Sequence, residues 1–138
     1  MSRINTIIIF TVILIILAVI YFRILNTSSF VSNEVTLHFT EIPATVRINA
    51  PVIIEWEIKS PFKKEASHIA LHFGQNSVAH PQSPKDYQLS SAVLSGIIPG
   101  KYAVVLQFQD PGPQYIRAHV AINEVSYWSS EAVITVIK

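Results

Sequence analysis

The amino-acid sequence predicts an all-β fold, an antiparallel sandwich of about seven strands, preceded by one transmembrane α-helix. The helix is indicated by an uncharged, strongly apolar run from Ile4 to Phe22. The strands are indicated by the alternation of apolar and polar residues from position 34 onward, which is typical of strands with one buried face. Proline, glycine and asparagine turns separate these runs, and two packed sheets bury one face of every strand.

Residues 1–23 are predicted to form an uncleaved signal-anchor helix. A helix over residues 4–22 is roughly 28 Å long, close to the thickness of the hydrocarbon core, and Arg3 and Arg23 bracket it. A cleaved signal peptide is the alternative, but its apolar core is shorter and ends in small residues. The short amino terminus with Arg3 favours an N-inside orientation. We therefore expect the C-terminal body on the extracytoplasmic side, periplasmic or extracellular.

The rest of the chain divides into a polar tether, residues 24–33, and a folded domain, residues 34–138. Eight of the ten Lys and Arg residues and all nine Asp and Glu residues lie beyond residue 30, so the net charge of the body is about −1. This charge balance excludes nucleic acid as a partner, because phosphate binding requires a basic surface. The expected partners are the lipid bilayer, through residues 4–22, and a protein of the cell envelope.

The alternating pattern predicts each strand in turn. Strands are expected over residues 35–40, 46–48, 52–59, 68–73, 102–109, 116–122 and 133–137, with a weaker strand over 88–95. Residues 74–87 contain two prolines and predict a long loop. In the third strand the inward row is Val52, Ile54, Trp56 and Ile58. Trp56 is therefore predicted to be the central aromatic of the core.

Three short motifs resemble those of fibronectin type III domains. They are Val-Ile-Ile-Glu-Trp at 52–56, Leu94 with Pro-Gly-Lys-Tyr at 99–102, and Tyr115-Ile-Arg-Ala followed by Trp128-Ser129. Residues 102–110 also resemble a strand of polycystic-kidney-disease-type (PKD) domains. The resemblance implies an immunoglobulin-like (Ig-like) sandwich, and domains of these families mostly act as spacers and binding modules.

Two tyrosines compete for the corner position that such domains have in their sixth strand, strand F. Tyr102 has the better inward alternation and follows the Pro-Gly corner, whereas Tyr115 has the better spacing to Trp128-Ser129. We prefer Tyr115, which makes residues 101–109 strand E, and the assignment to Tyr102 stays open.

Histidine is the residue type that requires a test for metal binding, because the chain contains no cysteine. His68 and His72 are predicted on one strand face, but about 13 Å apart along an extended strand, which is too far to share an ion. His119 is expected on the neighbouring strand, where it can meet His72. Two histidines without a carboxylate nearby in sequence make a poor zinc site. The sequence therefore predicts solvated histidines, no metal and no cofactor.

The remaining candidate residues indicate binding rather than catalysis. Tyr127 and Trp128 are expected in the connection before the last strand, where they could contact a partner or where Trp128 could stack on Arg117. The candidate contact residues are Tyr127, Trp128, Arg117, His72 and His119. No nucleophile elbow or phosphate-binding loop is present in the sequence, so no enzymatic activity is predicted.

The function expected from the sequence is a membrane-anchored extracytoplasmic structural or interaction module, an accessory subunit of an envelope or surface assembly. One alternative is a carbohydrate-type ligand-binding module that uses exposed loop aromatics. Another is a metal- or substrate-handling protein that uses His72 and His119. Imidazoles within about 4 Å of each other would favour the last alternative, because one metal ion can then bind both.

Overall fold

Ten short strands form the body of the protein in the computed structural model, which describes residues 34–138. The strands are β1 (Thr36–Glu41), β2 (Thr45–Arg47), β3 (Val52–Lys59), β4 (Lys64–Gly74), β5 (Leu89–Ser90), β6 (Leu94–Ile98), β7 (Gly100–Leu106), β8 (Gly112–Ile122), β9 (Val125–Trp128) and β10 (Ala132–Ile137). One short 3-10 helix, Pro84–Asp86, lies between β4 and β5. The all-β prediction is confirmed.

The smaller sheet has three antiparallel strands in the order β1-β3-β7. In β3 the side chains of Ile54, Trp56 and Ile58 are fully buried, whereas Ile53 and Glu55, which alternate with them, are exposed. The predicted inward row of this strand is therefore confirmed. This alternation follows from the pleat, which points successive side chains to opposite faces of the sheet.

The larger sheet has seven strands, ordered β2-β10-β8-β4-β5, with β6 also paired to β4 and β9 to β8. Its strand pairs are antiparallel except for β2 and β10, which run parallel. Tyr115 lies on β8, between β4 and β10, whereas Tyr102 lies on β7 in the smaller sheet. The two candidate corner tyrosines therefore belong to different sheets.

The hydrophobic core contains residues from both sheets. Trp56 stacks on Tyr102 with ring centroids 5.9 Å apart, and Phe73 meets Phe108 edge to face at 5.5 Å. The fully buried aliphatic residues that surround these rings are Ile54, Ile58, Ile69, Leu71, Ile98, Ile116, Val120 and Ile134. The prediction that Trp56 is a core aromatic is confirmed.

Two local features depart from simple alternation. Ala66 and Ile69 are both buried although three positions separate them, because the pairing of β4 with β6 is irregular between these residues, as at a β-bulge. Asn123 and Glu124 have φ of 48° and 68°, which suits a two-residue hairpin between β8 and β9. The expected loop position of Tyr127 and Trp128 is therefore wrong, because both lie in β9.

The segment between β4 and β5 is held in place by its own polar groups. The Asp86 carboxylate accepts hydrogen bonds from the backbone N–H groups of Gln82 and Ser83, at 2.8 and 2.9 Å. The Ser83 side chain accepts from the N–H of Lys85, which completes a capping box. Tyr87, which follows directly, is buried. The ordered segment thus positions a buried aromatic ring next to β4.

The predicted transmembrane helix and the tether of residues 24–33 lie outside the described residues. Within residues 34–138, none of the helical structure is long and apolar enough to cross a bilayer.

Candidate metal centre

Three histidines converge on the outer face of the larger sheet. Ile69, Leu71 and Phe73 of β4 belong to the core, so His68 and His72 of the same strand point to the opposite face. His119 of β8 pairs directly with Ala70, the residue midway between His68 and His72. The three imidazoles therefore form a triangle around the methyl group of Ala70.

The imidazole nitrogens are close enough to share one metal ion. The Nε2 atoms of His68 and His72 are 3.3 Å apart, and one ligand nitrogen from each of the three histidines lies within 4.8 Å of the others. Zn–N bonds of about 2.0–2.1 Å in a tetrahedral site place two nitrogens roughly 3.3–3.4 Å apart. The pair on β4 already has this spacing, and His119 requires only a small side-chain movement.

The expectation that His68 and His72 are too far apart is therefore wrong. The backbone distance along a strand does not set the distance between the ring nitrogens, because long side chains can lean along the strand. Ala70 between the two histidines carries only a methyl group, which leaves room for the rings. These rings stack with their centroids 5.6 Å apart and their planes 9° from parallel.

The expectation of solvated histidines is also wrong. His72 is 3% exposed and His119 is 2% exposed, although both lie on an outer sheet face. Trp128 covers His119 with ring centroids 4.1 Å apart. The ring of Tyr87 lies 6.3 Å from that of His72 and 5.9 Å from that of Trp128. Strand β9 and the segment before β5 thus shield the imidazoles of His72 and His119 from water with aromatic rings, whereas His68 is half-buried.

Burial keeps the histidines neutral. Desolvation, with a smaller effect of the nearby His68, lowers the pKa of His72 to about 4. Desolvation, followed by the charges of His72 and His68, lowers the pKa of His119 to about 3, and burial also lowers the pKa of His68. At neutral pH each of the three imidazoles is therefore neutral and has one unprotonated nitrogen, the form that binds a metal ion.

The hydrogen bonding of His119 also fits a metal ligand. Its Nε2 lies 3.0 Å from the Ser126 hydroxyl, whereas its Nδ1 is buried and has no hydrogen-bond partner. With Nε2–H donating to Ser126, Nδ1 carries an unpaired lone pair in a site that excludes water. A buried acceptor without a partner is costly. Metal-binding histidines commonly have this arrangement, in which the second nitrogen donates to a neighbouring oxygen and orients the ring.

One side of the histidine triangle remains open to solvent. A pocket of about 230 Å³ is lined by His68, His72, Lys85, Ser90 and the neighbouring residues Pro84, Tyr87, Gln88 and Leu89. Among residues 34–138, the three histidines form this ligand cluster without any carboxylate. The arrangement therefore offers three neutral nitrogen ligands and one side through which a further ligand can approach.

Arg117, a candidate contact residue, holds the segment next to the pocket instead of stacking on Trp128. Its guanidinium donates hydrogen bonds to the carbonyl oxygens of Ser129, Val78 and Ala79, at 2.6, 3.1 and 3.3 Å. Glu131 lies 3.7 Å from the same guanidinium and accepts from the N–H of Val78. This ion pair fixes the chain between β4 and β5 against β8 and the start of β10.

The structure separates the two adjacent aromatic residues. Tyr127 packs against the core, whereas Trp128 faces the histidines, because successive residues of β9 point to opposite faces. The two rings therefore do not form one flat binding platform. His38, which bonds to Glu57 at 3.0 Å, lies on the smaller sheet and does not belong to the cluster.

No protein-family model and no curated protein matches the sequence. Solved structures show weak likeness to the fold. A variant of the superoxide reductase (neelaredoxin) from Ignicoccus hospitalis has a TM-score of 0.47 and 15% identity, over 80% of this chain and 88% of that chain. A β-glucosidase from Listeria innocua has a TM-score of 0.48 and 13% identity, over 76% of this chain and 16% of that chain.

A third likeness is to the alkylpurine DNA glycosylase AlkC from Pseudomonas fluorescens, with a TM-score of 0.46 and 12% identity, over 76% of this chain and 31% of that chain. The chain thus spans less than a third of the glucosidase and glycosylase chains. Similarity at this level carries no information about activity.

Proposed function

We propose that the protein is a membrane-anchored, extracytoplasmic module with an Ig/fibronectin-III-like sandwich, and that this sandwich binds one transition-metal ion through His68, His72 and His119. The observation that carries the proposal is the approach of the three ligand nitrogens to within 4.8 Å of one another. The expectation from the sequence, a module without a metal, did not include this convergence.

The ligand set favours zinc or copper among the common metal ions. Neutral imidazole suits zinc, copper, iron and nickel, whereas calcium and magnesium require oxygen ligands. Copper(II) generally binds nitrogen sites more tightly than the other divalent first-row ions. The absence of cysteine from the sequence removes the thiolates that would favour iron–sulfur clusters. We therefore expect zinc and copper(II) to bind well, and calcium and magnesium not to bind at these three residues.

The number of protein ligands indicates a metal site that can bind an external ligand, rather than a purely structural metal site. Structural zinc sites are usually closed by four protein ligands, whereas three protein ligands leave a position for water or another ligand. The solvent-open pocket beside His68 and His72 supports this second arrangement. The metal would therefore be able to interact with molecules from outside the protein.

Two further observations support the proposal that this domain is anchored in a membrane and acts as an interaction module. The uncharged run at residues 4–22 has the length of a membrane span. On the outer face of the smaller sheet, Ile53 and Val105 pair directly and are 58% and 63% exposed. Neighbouring exposed apolar side chains suit contact with another protein of the envelope.

The test is a calorimetric titration of the full chain in detergent with zinc chloride and with copper(II) chloride. We expect one ion per chain, and loss of at least tenfold in affinity in His72→Ala and in His119→Ala. His38→Ala and His80→Ala are matched controls, because these histidines lie outside the cluster. Failure to bind either metal, or binding that is unchanged in the two cluster variants, would overturn the proposal.

A further inference from the structure

We infer that the bound metal keeps one coordination position for a small anion, which enters through the pocket beside β5 and is attracted by Lys85. The inference rests on the proposed metal function and adds the chemical class of the external ligand. Its evidence is the location of the pocket, the charge of the residues around it and its size.

The pocket is the side from which an external ligand can reach the metal. It shares His68 and His72 with the histidine cluster, so it borders the proposed ligand atoms directly. Elsewhere the cluster is covered: Trp128 lies over His119, whose Nε2 is bonded to Ser126. The fourth position of a metal held by the three histidines therefore faces the pocket.

The charge around the pocket selects an anion. Three neutral imidazoles do not offset the double positive charge of zinc or copper(II), and an uncompensated charge in a half-buried site is costly. Lys85 adds a further positive charge, and none of the residues that line the pocket has a carboxylate. The neighbouring Asp86 carboxylate accepts hydrogen bonds from the backbone of Gln82 and Ser83 instead. An anion in the fourth position would reduce the net charge of the metal centre and also interact favourably with Lys85.

The size of the pocket is consistent with a small anion. Its volume of about 230 Å³ is below the range of roughly 300–1,000 Å³ that small-molecule sites usually occupy. Tyr87 forms part of its wall and is buried against Trp128. A small anion therefore fits this pocket better than an extended peptide or oligosaccharide, which would need a longer groove.

The experiment uses the full chain in detergent, loaded with cobalt(II) in place of zinc, and azide as the probe anion. We expect azide to change the visible cobalt spectrum saturably, with one azide per cobalt. Lys85→Gln should weaken the affinity for azide roughly three- to tenfold, since one positive charge is removed from the wall of the pocket. The affinity for cobalt should change less than twofold, and Lys85→Arg should retain the affinity for azide.

Lys101→Gln is the matched control, because Lys101 is an exposed lysine of β7 in the other sheet. Its azide affinity should equal that of the unaltered chain. If cobalt binds but azide leaves the spectrum unchanged, or if Lys85→Gln binds azide as tightly as Lys101→Gln does, the inference fails and the metal function stands. If cobalt does not bind, the metal function itself fails, and the inference fails with it.

Discussion

Acidification should destabilise the metal-free domain through His72 and His119. An unfolded histidine has a pKa of about 6.5, whereas burial lowers the pKa of His72 to about 4 and that of His119 to about 3 in the folded protein. Between these values the unfolded chain binds more protons than the folded chain. The stabilisation is therefore fully present above about pH 6.5 and is lost as the pH falls toward the folded-state pKa.

The expected effect is large compared with the stability of a small domain. From the shifted pKa values, each of the two histidines contributes a loss of up to about 1.8 kcal/mol between pH 7 and pH 5. Together they should lower the free energy of unfolding by on the order of 3 kcal/mol. The total stability of a domain is only about 5–15 kcal/mol. The metal-free domain is therefore expected to lose a substantial part of its stability over a narrow pH range.

The assay is urea unfolding of a fragment of residues 30–138 at pH 7 and pH 5, with a chelator present. The double variant His72→Asn/His119→Asn should lose less than half as much stability on acidification as the unaltered fragment. His80→Asn, at an exposed position in the segment between β4 and β5, should behave like the unaltered fragment. Equal free energies of unfolding at the two pH values, or a full acid-induced loss in the double variant, would refute the reasoning.

The other predictions concern the core, the ion pair and the anchor. Trp56→Ala should lower the free energy of unfolding by about 3–5 kcal/mol, since Trp56 is fully buried; a loss below about 1 kcal/mol in urea unfolding would contradict this packing. Arg117→Ala should make the segment at residues 77–79 at least tenfold more sensitive to limited proteolysis, because three carbonyl oxygens lose their donor; an unchanged cleavage rate would contradict the proposed holding role. The full chain should stay in membranes during a carbonate wash, whereas the fragment of residues 30–138 should be soluble and folded; release of the intact chain by the wash would contradict the anchor at residues 4–22.

The alternation of apolar and polar residues predicted the strands that bury one face in the core. In β3, β7 and β8 every second residue enters the core, so the period of the sequence directly records the pleat of the strand. The position of Trp56 follows from this period alone. The irregularity between Ala66 and Ile69 was not predictable in the same way, because a bulge moves the following residues to the opposite face without a distinct local pattern.

The histidine cluster could be predicted only in part. The expectation that His119 lies on the strand next to His72 followed from the sandwich topology, and the two rings do meet, with centroids 5.4 Å apart. The approach of His68 to His72 depends on side chains that lean over Ala70, which an estimate from backbone rise does not include. The small residue between two histidines of one strand was the signal that could have indicated it.

The burial of the cluster has a long-range cause. Tyr87 packs next to His72 because the chain after β4 folds back, and Arg117 and Glu131 hold that segment through contacts with residues nearly 40 or more positions away along the chain. Neither the alternation of β4 nor a local motif records such contacts. The sequence therefore predicted the sheet face of the histidines but not their exclusion from water.

X-ray absorption at the zinc edge, on the zinc-loaded full chain, tests the central claim most directly because it reports the atoms that surround the ion. The proposed site predicts three imidazole nitrogens at about 2.0–2.1 Å, together with one ligand from outside the protein. A shell of oxygen atoms without imidazole scattering, or a chain that retains no zinc, would contradict the assignment of His68, His72 and His119 as a metal site.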